Sequence, residues 1–326
     1  MKEIILTGKS NKYRLQTGTE SALIKPVGKL SSVYKGEIIG SEKHVVIKKL
    51  ASHAMGDTEL ETQFNHEALV SIEHNGIPKI LDFIEQDGQV YLVKEYISGI
   101  NLKRFAQTKV LRRKDALLFY TKCIILVLEI LEKVHEEGYV HTDIRPGNII
   151  IHYDSEGQIN FHDPKVSLID FGLSKFPNEK YTFFKHQPFA LIYSSPEQVL
   201  KFSELVNHYS DIYSVGLTLY TLISSKRFKL LFNEESIMNM QISNPIKYDL
   251  KIPYELFNII RKATNKKVLM WPPGRYSEEV LEKILKQGQV KRYKSAKGFK
   301  EDLIDFTLKY EKVRKNSLLT KKISAK

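Results

Sequence analysis

The chain has 326 residues, a formal net charge of +12, 42% hydrophobic and 27% charged residues, and a single cysteine, Cys123. This globular composition excludes wholesale disorder, and one cysteine excludes both an intrachain disulfide and a cysteine-built zinc site, which points to a reducing, cytoplasmic setting. The longest uninterrupted apolar run, residues 123–128, is too short to cross a bilayer, and the start Met1-Lys2-Glu3-Ile4 lacks the pattern of a secretory signal.

In chain order, residues 4–6 and 13–15 read as strands around the turn Gly8-Lys9-Ser10-Asn11. Gly8-Lys9-Ser10 echoes a nucleotide P-loop, but Glu3 stands where the required earlier glycine would be. A second extended pair, 33–39 and 44–50, turns at Gly40-Ser41, and residues 58–73 look helical. Strand pattern returns over 77–97, where Asp87-Gly88 predicts a hairpin joining 80–84 to 90–96. Residues 115–137 form a helix with apolar positions almost all round, which predicts a buried central helix. Helical patterns dominate after about residue 196. The expectation is an α+β chain of two lobes with a crevice between them: 1–97 with a small antiparallel sheet and one main helix, and 98–290, larger and mainly helical.

Residues 291–326 form a basic tail, expected to be partly helical, with twelve Lys/Arg against four Asp/Glu, so +8 of the net charge lies there. Leu303, Ile304, Phe306, Leu308, Tyr310 and Val313 suggest an apolar side that packs on the second lobe, with Lys321, Lys322 and Lys326 as a frayed end. A solvated basic end and a surface for nucleic acid or anionic lipid both stay open.

Four segments carry chemistry: His44-Val45-Val46-Ile47-Lys48, His141-Thr142-Asp143-Ile144-Arg145-Pro146-Gly147-Asn148, Asp170-Phe171-Gly172 and Ser195-Pro196-Glu197. In this order and spacing they resemble the protein kinase family, in particular bacterial Ser/Thr kinases that resemble eukaryotic protein kinases. Tyr209-Ser210-Asp211-Ile212-Tyr213-Ser214-Val215-Gly216 and Pro273-Gly274-Arg275-Tyr276 extend the resemblance over roughly residues 20–285.

The resemblance implies a two-lobed kinase-like fold and transfer of the γ-phosphate of ATP to Ser/Thr hydroxyls of proteins, this chain included. Phosphoryl transfer asks a protein mainly for positioning and charge compensation. Asn148 and Asp170 offer hard oxygen ligands suited to Mg²⁺, with Mn²⁺ as an alternative. Asp143 would accept or orient the hydroxyl proton, Lys48 would meet the α- and β-phosphates, and Arg145 would keep a positive charge near the transferred phosphate. Glu67, in Phe64-Asn65-His66-Glu67, is the expected carboxylate partner of Lys48. Gly28 and Val33 belong to the phosphate-covering loop, and Glu95, Tyr96 and Ile97 would present backbone groups to adenine. His141 is expected as a packed core histidine, Asp211 as an acceptor for catalytic-loop backbone N–H groups, and Glu197 with Arg275 as a buried ion pair.

Several positions depart from the family pattern. Of three glycines expected before Val33, only Gly28 survives; Pro26 and Ser31 occupy the other two positions, and Lys29 lies beside Gly28. Thr142 replaces the arginine that grips an activation-loop phosphate, which implies constitutive or partner-controlled activity. Ala190 stands where a threonine usually faces the peptide, and Lys94 stands where an apolar residue usually backs the adenine pocket. The spacer from Asn148 to Asp170 is long, and residues 152–165 are expected to form an extended hairpin turn. His74-Asn75-Gly76-Ile77 arrives early, so the helix before it is expected to be shortened or re-registered. Hydroxyls at Ser174, Tyr181, Thr182 and Ser194 are available for autophosphorylation, and Phe176, Tyr181, Phe183, Phe184 and Phe189 are expected to pack the segment on the second lobe, with a partner-binding surface as the alternative. Two other functions fit the same motifs: a pseudokinase scaffold, favoured by the eroded loop with Ser31, Thr142 and Ala190, and a small-molecule kinase, disfavoured by the Ser195-Pro196-Glu197, Asp211 and Arg275 constellation.

Overall fold

The computed structural model describes residues 2–17, 23–25, 30–183, 192–224 and 234–323. The first lobe holds β1 (Lys2–Thr7), β2 (Lys12–Thr17), β3 (Leu23–Lys25), β4 (Ser31–Ile38), β5 (His44–Leu50), α1 (Thr58–Ala68), β6 (Ile80–Gln86) and β7 (Gln89–Glu95). The strands form one antiparallel sheet in the order β1-β2-β4-β5-β7-β6, with β3 paired to β4. The sheet curls until its first strand reaches its last. Thr7 N–H donates to Gln86 Oε1 (3.1 Å), Gln86 Nε2 donates to the Ile5 carbonyl (2.9 Å), and Tyr13 Oη donates to Asp82 Oδ2 (2.5 Å). Inside the curl lie Leu6, Tyr13, Leu15, Val45, Ile47, Ile84, Tyr91 and Val93, all buried. The predicted hairpin forms, with both turn residues at positive φ (Asp87 53°, Gly88 67°), as a type I′ turn requires.

Helix α1 is capped by Asp57, whose side chain accepts from the N–H groups of Glu59 and Leu60. It packs Leu60 and Phe64 on Leu50 and Leu92 of the outer sheet face. It ends at Ala68, short of the predicted residue 73, because the β-branched Val70 and Ile72 leave as extended chain and pack on the second lobe. Gly76 then passes tightly against the central helix: a Cβ there would lie 2.4 Å from the Ile130 side chain.

The second lobe contains β8 (Gly99–Asn101), α2 (Leu102–Thr108), α3 (Arg113–Glu136), β9 (Ile149–His152), β10 (Val166–Leu168), α4 (Pro196–Val199), α5 (His208–Ile223), α6 (Glu234–Ser243), α7 (Tyr254–Ala263), α8 (Glu278–Gln289) and α9 (Ala296–Ile323). Strands β10, β9 and β8 form a small antiparallel sheet, and the long spacer is the connection between β9 and β10. α3 is the buried central helix, with Cys123, Ile124, Val127, Leu128 and Leu131 sealed inside.

Residues 292–306 are core rather than appendage. Tyr293, Ala296, Phe299, Leu303 and Phe306 join the main cluster around α3, and the 299, 303, 306 spacing is one helix face. Of the six apolar tail residues, Ile304, Leu308 and Val313 are exposed instead. Part of the tail's positive charge is matched within the lobe: Lys300 pairs with Glu132, Lys309 with Glu255 and Arg314 with Asp115. The side chains of Lys321, Lys322 and Lys326 lie outside those described. Among the described residues no helix is long and apolar enough to cross a membrane.

Candidate active site

The register of three strands builds the cleft-facing surface of the first lobe. Val33 is paired with Lys48, Lys48 with Leu92, and Val46 with Lys94. Directly paired residues share a sheet face, as do residues two apart on one strand. Val33, Lys48, Leu92 and Lys94 therefore all face α1, while Val45, Ile47, Tyr91 and Val93 fill the curl. Lys48 Nζ donates to Glu67 Oε2 of α1 and, at 3.0 Å, to Asp170 Oδ1. Lys94 Nζ donates to Glu67 Oε1 at 2.5 Å. Burial pushes the Glu67 carboxyl up, but the two ammonium groups outweigh it and hold the carboxyl below the usual range. Burial alone would lower the Lys48 pKa, yet Asp170 and Glu67 hold it above its ordinary value.

The catalytic-loop candidates are fixed from beneath by α5. Asp211 accepts from the backbone N–H groups of His141 and Thr142, both at 2.8 Å, and from His135 Nε2 at 2.9 Å when that nitrogen carries the proton. His141 is fully buried against Phe171, its Nδ1 accepts from the Asp143 N–H (3.2 Å), and burial lowers its pKa. It is a packed structural residue, as the resemblance implied. Asp143 Oδ2 accepts from Arg145 Nε (2.9 Å) and Asn148 Nδ2 (2.7 Å), and Asn148 Nδ2 also reaches the Asp143 carbonyl (2.9 Å). Burial pushes the Asp143 carboxyl up to about 6, against the opposing pull of Arg145. Its Oδ1 has no hydrogen-bond partner among the described residues.

Thr142 and Asp170 both have left-handed backbone, φ 66° and 71°. For a β-branched threonine this conformation costs about 1–3 kcal/mol and needs outside support. Thr142 Oγ1 donates to the Leu173 carbonyl (2.6 Å), its N–H to Asp211, and its carbonyl accepts from Gln198 Nε2 (2.8 Å). The side chain that replaces a phosphate-gripping arginine is thus 2% exposed, with Tyr181 Oη at 3.5 Å. Phe176 packs edge-on against His66 of α1 and against Tyr139, so it bridges both lobes rather than the second alone. Phe184, Phe189 and Ala190 lie outside the described residues, as do Pro26, Gly28 and Lys29 of the lid. Glu95 closes β7, its N–H donating to the Lys79 carbonyl (2.9 Å), and the half-buried Ile97 lies in the link between the lobes.

One expected pair is wrong. Glu197, fully buried, meets Arg292 and not Arg275. Arg292 Nη1 and Nη2 bind its two oxygens at 2.7 and 3.0 Å, and Ser210 Oγ donates to Oε1 at 2.8 Å. Arg275 is exposed and lies over the Trp271 ring, 5.1 Å from its centroid. Helix α8 separates the two arginines. The buried start of α9, with Tyr293 and Ala296, seats Arg292 against Glu197, and no local pattern in this run, which reads as basic tail, marks it. Lys94 departs from the family pattern in the sequence, and its contact with Glu67 emerges only in the fold.

Asn148 and Asp170 contribute a carboxamide and a carboxylate oxygen, a donor set of the hard kind that Mg²⁺ takes. Among the described residues no group of three or more His, Cys, Asp or Glu could hold a metal by itself. The two residues thus fit a Mg²⁺ that takes its other ligands from phosphates and water.

A match to the protein kinase domain family covers residues 27–304, and the chain belongs to that family. Its curled antiparallel first lobe and helical second lobe are the two-lobed protein kinase fold. The chain is 29% identical to the probable serine/threonine-protein kinase PknB of Lactococcus lactis, over 76% of this chain and 39% of that protein. It is 29% identical to the serine/threonine-protein kinase PrkC of Bacillus subtilis, over 73% of this chain and 36% of that protein. To serine/threonine-protein kinase D of Synechocystis it is 31% identical, over 73% and 45% respectively. The aligned part spans about two-fifths of the length of these curated relatives.

Proposed function

We propose that this chain transfers the γ-phosphate of ATP to serine and threonine hydroxyls of proteins. The observation that carries the reading is the contact of Lys48 with both Glu67 and Asp170, with Asp170 in turn close enough to the Asp143–Asn148 pair to act on the Asp143 charge. Lys48 orients the α- and β-phosphates. Asp143 receives or orients the hydroxyl proton through Oδ1, and Asn148 and Arg145 hold its carboxylate in place by occupying Oδ2. Arg145 also leaves a positive charge beside the transferred group. Asn148 and Asp170 would hold Mg²⁺, which neutralises charge on the phosphates when bound.

Residues 173–181 are held by the Thr142 contacts to the Leu173 carbonyl and Tyr181 and by the packing of Phe176 on His66 and Tyr139, which supports activity that does not wait for phosphorylation. Of the four candidate hydroxyls, Ser174, Tyr181 and Ser194 are buried, and Thr182 is exposed. Radiolabelled ATP with a generic protein substrate, comparing wild type, Lys48→Met and Asp143→Ala, tests the reading. Label should enter protein with wild type and fall by at least about a hundredfold with either variant. Equal incorporation by all three would leave a scaffold, and label confined to small molecules would make it a small-molecule kinase. Site mapping by mass spectrometry should find Thr182 first.

A further inference from the structure

Lys94 is a buried cation without a role in the reaction above. It is 9% exposed, on the cleft face of β7, and its ammonium takes the Glu67 oxygen that Lys48 leaves open. Removing an ammonium from water is costly unless it is well paired, and at this position an apolar side chain would avoid that cost. The carboxylate it meets is 3% exposed at its side chain and already has Lys48. Stability alone does not call for a second cation there.

The charge count gives Lys94 a use. Without nucleotide, Lys48 and Lys94 balance Glu67 and Asp170, and the cluster is neutral. Once Asp170 turns to a divalent cation, the triad Lys48–Glu67–Lys94 keeps a net charge of +1. A Lys48–Glu67 pair backed by an apolar residue would be neutral. The extra charge sits in a cleft where the dielectric response is weaker than in water, so it acts strongly on an anion beside it. Lys94 also keeps Glu67, and with it α1, docked while Lys48 turns toward phosphate.

We propose that Lys94 is a nucleotide-positioning residue: it neutralises Glu67 and thereby frees the Lys48 charge for the triphosphate. The inference rests on the phosphotransfer reading of this cleft, and its test needs binding alone.

The experiment is calorimetric titration of the full chain with Mg²⁺ and a non-hydrolysable ATP analogue, and separately with adenosine. Lys94→Met should weaken the analogue about tenfold and adenosine less than about twofold, while Lys94→Arg, which keeps the charge, stays within about threefold of wild type for both. A merely structural residue would move both ligands together. Analogue affinity of Lys94→Met within about twofold of wild type, or equal losses for analogue and adenosine, overturns the proposal. If Lys94→Met does not fold, Lys94→Gln, which keeps a polar contact to Glu67 without the charge, decides by the same comparison. A wild type that binds the analogue with this pattern but phosphorylates no protein sinks the proposed function and leaves the role of Lys94 standing. A wild type that binds no analogue sinks both.

Discussion

Asp143 in the catalytic loop and Glu197 at the base of the second lobe are both carboxylates taken out of water, 8% and 0% exposed, yet they reach opposite electrostatic states. Burial pushes both upward. At Glu197 the answering cation is as buried as the acid, 1% exposed, and binds both oxygens, so the carboxyl is held below its ordinary range. At Asp143 the cation is Arg145, 28% exposed and touching one oxygen through Nε, and burial wins: the carboxyl stands at about 6. Fork-on-fork pairing inside the protein makes a charge inert, and one-sided pairing at a cleft mouth leaves it reactive. The same contrast separates scaffold from chemistry in this molecule.

The comparison breaks most visibly at Asp143. Asp143→Asn should lower the phosphotransfer rate by about 10²–10⁴-fold without lowering the melting temperature. The sign follows from the pKa: its folded value lies above the unfolded one, so above about pH 6 the ionised carboxylate weighs against folding, and the amide removes that weight. A variant that both melts early and keeps its rate would place Asp143 with Glu197. Arg292→Ala leaves Glu197 buried and unpaired and should cost about 3–5 kcal/mol in urea unfolding; a loss near zero would dissolve the distinction from the other side.

Acid titration sharpens the contrast next. Glu197 is depressed by Arg292 against the effect of burial, and Asp211 by its hydrogen bond from His135 against the same effect. Each contributes stability that is complete above the unfolded carboxylate value, about 4, and is lost as pH falls through the lower folded value. The melting temperature should therefore hold down to about pH 5 and then drop steeply, and in Arg292→Ala the acid-side drop should be shallower. The smallest effect belongs to Arg275. Stacked on Trp271 in solvent, it should change stability by less than about 0.5 kcal/mol when replaced by alanine, and a loss matching that of Arg292→Ala would restore it as the partner of Glu197.

Much of the cleft was legible as local pattern. Lys48 ends an apolar strand, Asp143 and Asn148 flank Pro146-Gly147, Asp170 precedes Phe171-Gly172, and Glu67 lies on a helix at a plausible distance; the fold brings Lys48, Glu67 and Asp170 into contact, and Asp143 and Asn148 into contact. Asp211 was legible too, and it meets the backbone of His141 and Thr142. Arg292 was not, because nothing in the chain around it marks burial: it stands among Lys291, Tyr293 and Lys294. Arg275 in Pro273-Gly274-Arg275-Tyr276 carries the local pattern, but it precedes α8 and lies in solvent over Trp271. The shortened end of α1 agrees with the early His74-Asn75-Gly76-Ile77, but its place at Ala68 rather than residue 73 depends on Val70 and Ile72 packing on a core that belongs to the other lobe.

By itself the sequence determined the element types, the two-lobe division of strand-rich and helix-rich parts, and the set of chemically able residues, because strand alternation, helix periodicity and turn residues act over a few neighbours. Tertiary structure decided which charges meet. Strand register placed Lys94 beside Lys48 on one face, and the seating of α9 carried Arg292 beneath Glu197. Those pairings depend on distances across the fold between residues far apart in the chain, and a buried charge is stabilised by whatever stands opposite it in space.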